Sequence, residues 1–254
     1  MRGCGHIGIA FLERRRITKR IIRTSEHFTL LNWIKKLLNG STSSSTKVEV
    51  QSPTQHELLD EFRAYISREI ASGYASPDEA LETAIDVMSD DVDVGILRST
   101  GPEILSEELA AQLKKQEKWP EITDCDRLDS VFNALEEKGI VSRQNFSCCG
   151  TCGAAEIWDE IEASQNAGKT VRGYTFFHMQ DTESAVEGGG LYLNYGSSDA
   201  EEGEGACVSI GNEIQRELEA HDLKTSWDGT LSTRISVSLD WKRKIKLHPR
   251  EQFN

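Results

Sequence analysis

The sequence has no apolar run long enough to cross a membrane. A membrane-spanning helix needs about 20 mostly apolar residues, whereas the longest early run covers only Ile7 to Leu12. That run is followed by Glu13 and three arginines rather than by a small-residue cleavage site, which argues against a secretory signal peptide. These absences predict a soluble, cytoplasmic protein without a transmembrane segment.

Positive charge is scarce outside the first 40 residues. Those residues hold nine Lys/Arg and two Asp/Glu, or +7, and the total of −13 therefore leaves −20 for the rest of the chain. Such a field repels nucleic acid and anionic membranes. We therefore predict that the main domain does not bind duplex nucleic acid, while its charge permits a basic protein partner whose identity is unknown.

Composition and patterning divide the chain into four parts. We predict a basic amphipathic segment and Ser/Thr-rich linker at 1–54, a helical subregion at 55–120, an α+β cysteine-bearing domain at 121–247 and a tail at 248–254. The first part is compatible with a membrane-surface helix, a targeting segment, a solvated tail or translated sequence upstream of the true start. We expect it to lie outside the fold.

Capping residues predict where several helices begin. Ser76 precedes Pro77 and two acids, which is typical of a helix start, and Thr123 or Asp124 is placed to cap the helix that carries Leu128 and Leu135. Ser106 is the predicted cap of a third helix.

Alternating and apolar stretches predict about five strands. They include 140–147, 172–180, 190–196 and a hairpin that turns at Trp227–Thr230, with a second arm at 231–239. The predicted fold class is α+β, with a mixed or antiparallel sheet, helices on one face and a helical subregion before it.

Three of the six cysteines, Cys148, Cys149 and Cys152, lie within five residues. In a reducing compartment, such clustering indicates a metal or thiol site rather than a disulfide framework. The cluster follows a predicted strand and begins a predicted helix, whose dipole favours thiolates.

Zinc is the first hypothesis for this cluster. The spacing of Cys149 and Cys152 lets both sulfurs reach one ion. The chain lacks a second Cys-x-x-Cys pair, so the other ligands must come from elsewhere. We predict a site made of Cys125, Cys149, Cys152 and His178, with Cys148 and Cys207 as further candidates.

Thiol redox chemistry through Cys149 and Cys152 is the second hypothesis, because a strand, Cys-Gly-Thr-Cys and a helix follow in the order of thioredoxin-like motifs. The absence of proline between Pro120 and Pro249 argues against a thioredoxin fold.

A third hypothesis is a Cys/His hydrolase. Cys148 or Cys149 would be the nucleophile, His178 its base and Asp181 the residue that orients the base. The simplest alternative is that the thiols only pack, as buried free cysteines often do.

Several motifs together resemble an uncharacterised family of bacterial proteins. They are Trp119–Glu121, Thr123–Leu128, Gln144–Phe146, Cys148–Cys152, Phe176–His178, Gln180–Glu183, Gly188–Leu193 and Trp227–Gly229. The resemblance covers about residues 55–247. It implies a domain of unknown function in a bacterial cytoplasm and leaves 1–54 outside the shared region.

Our working prediction from the sequence is a non-catalytic binding or regulatory module with a structural cysteine site, which zinc would occupy. Whether the protein is an enzyme stays open at this point, with a thiol redox protein as the alternative.

Overall fold

The computed structural model describes residues 53–199 and 203–245. From His56 onward, the described residues belong to one compact unit. The predictions for the basic segment and linker at 1–54, except its last two residues, and for the tail at 248–254 lie outside the described residues.

Three helices form the N-terminal part of the described chain: α1 (Gln55–Ser72), α2 (Pro77–Met88) and α3 (Val94–Gln116). Helix α2 begins at Ser76 as predicted, because the Ser76 and Glu79 side chains each bond the other's backbone N–H. The predicted cap at Ser106 was wrong. Helix α3 begins earlier, because the Asp93 carboxylate accepts bonds from the N–H groups of Gly95 and Ile96.

The three helices share an apolar core. Their buried residues include Phe62, Ile66, Ala84 and Leu97, which come from all three helices and are fully buried. Burial of this stripe, rather than helix propensity, is the main source of stability for such elements.

The rest of the described chain alternates helices and strands. In order, the elements are α4 (Asp124–Glu137), β1 (Ile140–Arg143), α5 (Gly150–Asn166), β2 (Gly173–Phe176), α6 (Met179–Val186), β3 (Leu191–Ser197), α7 (Gly203–Ala220), β4 (Lys224–Ser226) and β5 (Ile235–Ser238). The sheet order is β1-β2-β3-β5-β4. Only the β1–β2 pair is parallel and the other pairs are antiparallel, so the predicted α+β fold with a five-stranded mixed sheet is confirmed.

The helices of this part divide between the two faces of the sheet. Residues of α4 and α7, among them Leu128 and Ile214, share a core with Ile140 of β1. Val141 points the other way and packs with Ile157 of α5, since successive strand residues face opposite sides. The refinement over the sequence prediction is that α5 covers the second face, over β1 and β2.

β1, β2 and β5 are shorter than the patterns predicted, whereas β3 has the predicted length. β1 ends at Arg143 and β2 at Phe176, since the chain after β1 turns and His178 caps α6. The last two strands pair antiparallel as a hairpin, but the 227–234 loop between them is wide rather than tight. Its shape is fixed by Asp228, whose Oδ1 accepts bonds from the N–H of Thr230 and the hydroxyl of Thr233.

Candidate metal centre

A strained loop leads from β1 to the three cysteines. Asn145 and Ser147 have φ angles of 50° and 61°, values that residues other than glycine adopt rarely. The loop is held by the segment after β2: the Phe146 N–H donates to the Phe177 carbonyl at 2.8 Å, and the Met179 N–H donates to the Ser147 carbonyl at 3.1 Å. Strain held by such surroundings is frequent at functional sites.

Helix α5 begins directly after Cys149. The backbone of Cys149 is extended, and its carbonyl accepts the Gly153 N–H at 2.9 Å, which closes the first turn. Gly153 lets this turn approach the sheet, because a Cβ there would lie 2.4 Å from Cε2 of Phe176. Close contact with β2 therefore fixes where the turn lies.

The turn brings three sulfurs together. The Sγ atoms of Cys148, Cys149 and Cys152 all lie within 4.8 Å of one another, and all three side chains are half-buried free thiols. Sulfurs bound to one tetrahedral zinc at 2.3 Å lie about 3.8 Å apart, so this spacing suits a shared ion with little adjustment. Within the described residues it is the one group of three or more His, Cys, Asp or Glu whose possible ligand atoms all lie within 4.8 Å of one another.

The surroundings of Cys149 favour its thiolate. Burial acts to raise the pKa of Cys149, but the Cys152 N–H, the thiols of Cys152 and Cys148 and the Thr151 N–H outweigh it, so the pKa is lowered. The Cys149 sulfur makes no capping hydrogen bond. The N–H groups of the first turn of α5 would nevertheless stabilise a negative charge on this sulfur.

The pKa of Cys152 moves the other way. Its hydrogen bond with Cys148, its burial and its hydrogen bond with Cys149 raise the pKa of Cys152 to about 12. In the metal-free state Cys149 therefore loses its proton more readily than Cys152 does. A cation bound to both sulfurs would remove this difference, because each coordinated thiol would be deprotonated.

His178 and Asp181 lie beside the turn and form the capping box of α6. The Asp181 N–H donates to Nδ1 of His178 at 3.3 Å, and Nε2 lies 3.1 Å from the Asp181 carboxylate, which places the ring proton on Nε2. Burial lowers the pKa of His178, with Asp181 opposing and Arg234 supporting this effect. A Cβ on Gly150 would lie 3.5 Å from Nε2, so the ring flanks the first residue of α5 without joining the sulfur group.

Comparison with known proteins assigns the domain to a family. Residues 55–245 match the family model described as a domain of unknown function, DUF6891. The chain belongs to this family. Neither a curated protein nor a solved structure matches it.

Two cysteines of the DUF6891 domain lie away from the sulfur group. Cys125 is 2% exposed inside α4, where burial raises its pKa to about 11 despite the nearby Arg243 and the Lys242 N–H. Cys207 is in α7, and its sulfur accepts the Ser197 N–H at 3.4 Å. The structure thus brings Cys149 and Cys152 together with Cys148, and does not bring Cys125 or Cys207 to them.

The residue that the sequence patterns missed is Arg234. Its Nη1 donates to both Asp181 oxygens, at 2.9 and 3.2 Å, although 53 residues separate the two. The sequence analysis placed Arg234 only within the second arm at 231–239 and gave it no role. No short-range signal connects it to the His178–Asp181 pair, because the link depends on the sheet order.

The hydrolase hypothesis needs an unprotonated ring nitrogen of His178 that faces a cysteine sulfur and can accept its proton. Both ring nitrogens instead face groups of Asp181. The hypothesis stays a prediction to which this arrangement adds nothing.

Within the described part of the DUF6891 chain, no helix is both long and apolar enough to cross a membrane.

Proposed function

We propose that this domain is a binding module that holds a zinc ion through Cys148, Cys149 and Cys152. The observation that carries the proposal is the convergence of the three sulfurs within 4.8 Å at one helix start. Thiolate ligands select zinc and other soft ions over magnesium or calcium. The lowered pKa of Cys149 supports early deprotonation at this position.

Three protein ligands leave one position of a tetrahedral zinc site. Water or an external group would complete it, or His178 after its ring proton moves from Nε2 to Nδ1, which would break the bond that Nδ1 accepts from the Asp181 N–H. The ion would stabilise most the loop in which Asn145 and Ser147 have positive φ, because metal binding is coupled to the folding of the segment that supplies the ligands. The ion would therefore stabilise a strained turn rather than perform chemistry.

The test is metal analysis of protein purified without oxygen. We expect close to one zinc per chain by elemental mass spectrometry, and a cobalt-substituted form with the absorption of thiolate-to-metal charge transfer. Cys149→Ser and Cys152→Ser should lose both signals. Cys207→Ser is the matched control, because that half-buried thiol lies outside the group. Equal metal content in Cys149→Ser and Cys207→Ser would contradict the proposal.

A second function, thiol redox chemistry, is supported by the opposite pKa shifts of Cys149 and Cys152. A reactive thiolate followed by a protonated partner at a helix start is the arrangement of a dithiol that attacks a disulfide. Glutathione disulfide would accept two electrons and release two glutathione thiols while Cys149 and Cys152 form one disulfide. Metal-free protein that forms this disulfide reversibly, seen by mass spectrometry, would favour the redox function over zinc.

A further inference from the structure

A cavity of about 120 Å³ is lined by residues of α5, β2, β3 and the 227–234 loop. Ala154 of α5 forms one side, and Tyr174 and Phe176 of β2 form an aromatic wall with nearly parallel rings, inclined by 20°. One buried water molecule needs a cavity of about 10–15 Å³. The cavity therefore has room for a small organic group.

The polar side of the cavity comes from neighbouring strands. Asn194 pairs with Phe176 across β2 and β3. The β3–β5 ladder ends at the pair of Leu193 and Ile235, so Asn194 and Arg234 are the next residues of the two segments. Directly paired residues share one face of a sheet. Asn194 and Arg234 therefore stand side by side at the edge of the aromatic wall, and both line the cavity.

Asn194 presents an unused donor. Its Nδ2 atom is buried and has no hydrogen-bond partner within the described part of the chain. Buried side-chain donors are nearly always satisfied in native proteins, so such an atom needs an explanation. An acceptor atom bound in the adjoining cavity provides one once the amide turns towards it, because Nδ2 is closed to water in the unbound protein.

Arg234 adds a positive charge that is held in place. Its Nη1 makes both bonds to Asp181, and no bond from Nε or Nη2 is found among the described residues. The guanidinium also lies over the ring of Tyr192, 5.1 Å from its centroid. Arginine held in this way is well suited to recognise a carboxylate with its remaining donors.

We propose that this cavity binds a small molecule in which a carboxylate is attached to a flat apolar group. The carboxylate accepts hydrogen bonds from Nδ2 of Asn194 and from Arg234, and the flat group lies against Tyr174 and Phe176. The proposal does not depend on a metal at the cysteines, since none of the four residues belongs to the sulfur group.

The test is a titration of the ¹⁵N-labelled full chain with benzoate and, separately, with benzamide, a neutral molecule of the same shape. The experiment is run with a metal chelator present, so that failure of the zinc proposal does not affect it. We expect saturable benzoate shifts at the Asn194 side-chain amide and at its neighbours. Benzamide should bind about tenfold more weakly or worse, because hydrogen bonds to a charged group are the stronger ones.

Two variants separate charge from space. Asn194→Asp should weaken benzoate binding by about tenfold or more, since a carboxylate replaces the donor. Ala154→Leu should block both probes, because the larger side chain at this exposed position of α5 would fill the cavity. Asn212→Asp is the control, because it makes the same change in charge on an exposed side of α7.

Each result decides the proposal. The proposal is supported if benzoate causes saturable shifts at the cavity, if both variants weaken this binding and if the control variant retains it. Absence of saturable shifts there, equal affinity for benzamide, or unchanged binding by Asn194→Asp overturns it. The NMR spectra also show whether each variant is folded, so a loss of binding is separated from a loss of structure.

Discussion

At the scale of single residues, the cysteine turn depends on a residue without a side chain. Gly153 follows Cys152, and a Cβ there would lie 2.4 Å from Cε2 and 2.9 Å from Cζ of the fully buried Phe176. The turn can approach β2 only because this atom is missing. Sequence patterns identified the cysteines but not this requirement, since the contact joins the first turn of α5 to the last residue of β2 and has no local pattern.

We predict that Gly153→Ala lowers the free energy of unfolding by about 1–3 kcal/mol, the usual cost of inserting a methyl group into a packed region. Gly205→Ala is the matched control, because a Cβ there has nothing within 4 Å. That change should instead raise stability by up to about 1 kcal/mol through helix propensity. Urea unfolding measures both, and equal effects of the two changes would show that Phe176 does not restrict the turn.

At the scale of secondary-structure elements, helix starts were more predictable than strand ends. Ser76 and Thr123 cap their helices as the sequence indicated, because a capping box depends on residues three positions apart. The ends of β1 and β2 depend on hydrogen bonds between the 144–149 loop and the segment after β2. Such long-range contacts have no local pattern.

The capping box of α4 predicts a pH effect. Burial acts to raise the pKa of Asp126, but the Thr123 N–H, Lys244 and the Thr123 hydroxyl outweigh it, and the pKa is lowered. A lowered pKa means that the folded state binds the proton more weakly than the unfolded state. The stabilisation is therefore present above the unfolded pKa of about 3.9 and is lost as the pH falls through the folded value.

We expect Asp126→Asn to lower stability by about 0.5–1 kcal/mol near pH 6, since the carboxylate is partly exposed to solvent. The difference from the original protein should shrink below about pH 4, where Asp126 of the unfolded chain takes up its proton before Asp126 of the folded protein does. Urea unfolding at several pH values measures this. Asp159→Asn, an exposed change of the same charge on α5, serves as the control. A difference that grows towards low pH would contradict the assignment.

At the scale of the whole described domain, the segment that follows β5 links the helical part to the rest. Nε1 of Trp241 donates to the Ala71 carbonyl at the end of α1, and the Ile245 N–H donates to Oε1 of Gln116 at the end of α3. The sequence predicted the two parts but not this link. Arg243, which lies in this segment, has a side chain that is only 13% exposed and is paired with Asp129.

Arg243 is the centre of this link. Its Nη1 and Nη2 donate to Asp129 at 3.1 and 2.8 Å, Nη2 also donates to Gln144 at 2.7 Å, and the guanidinium lies 4.4 Å from the centroid of Tyr74. Tyr74 connects α1 to α2, while Asp129 belongs to α4. One side chain therefore holds the two parts together through charge, hydrogen bonds and ring stacking.

We predict that Arg243→Ala lowers the free energy of unfolding by about 2–3 kcal/mol, less than for a fully buried ion pair because Asp129 keeps access to water. The loss should be uneven. Hydrogen exchange should become faster in α1, α2 and α3 before it does in the sheet, because the helical core is separate from the core of the sheet and loses its main attachment. Arg216→Ala on the exposed side of α7 is the control and should change neither. Exchange that rises equally in both parts would show that they unfold as one unit, with Arg243 stabilising the domain without linking separable halves.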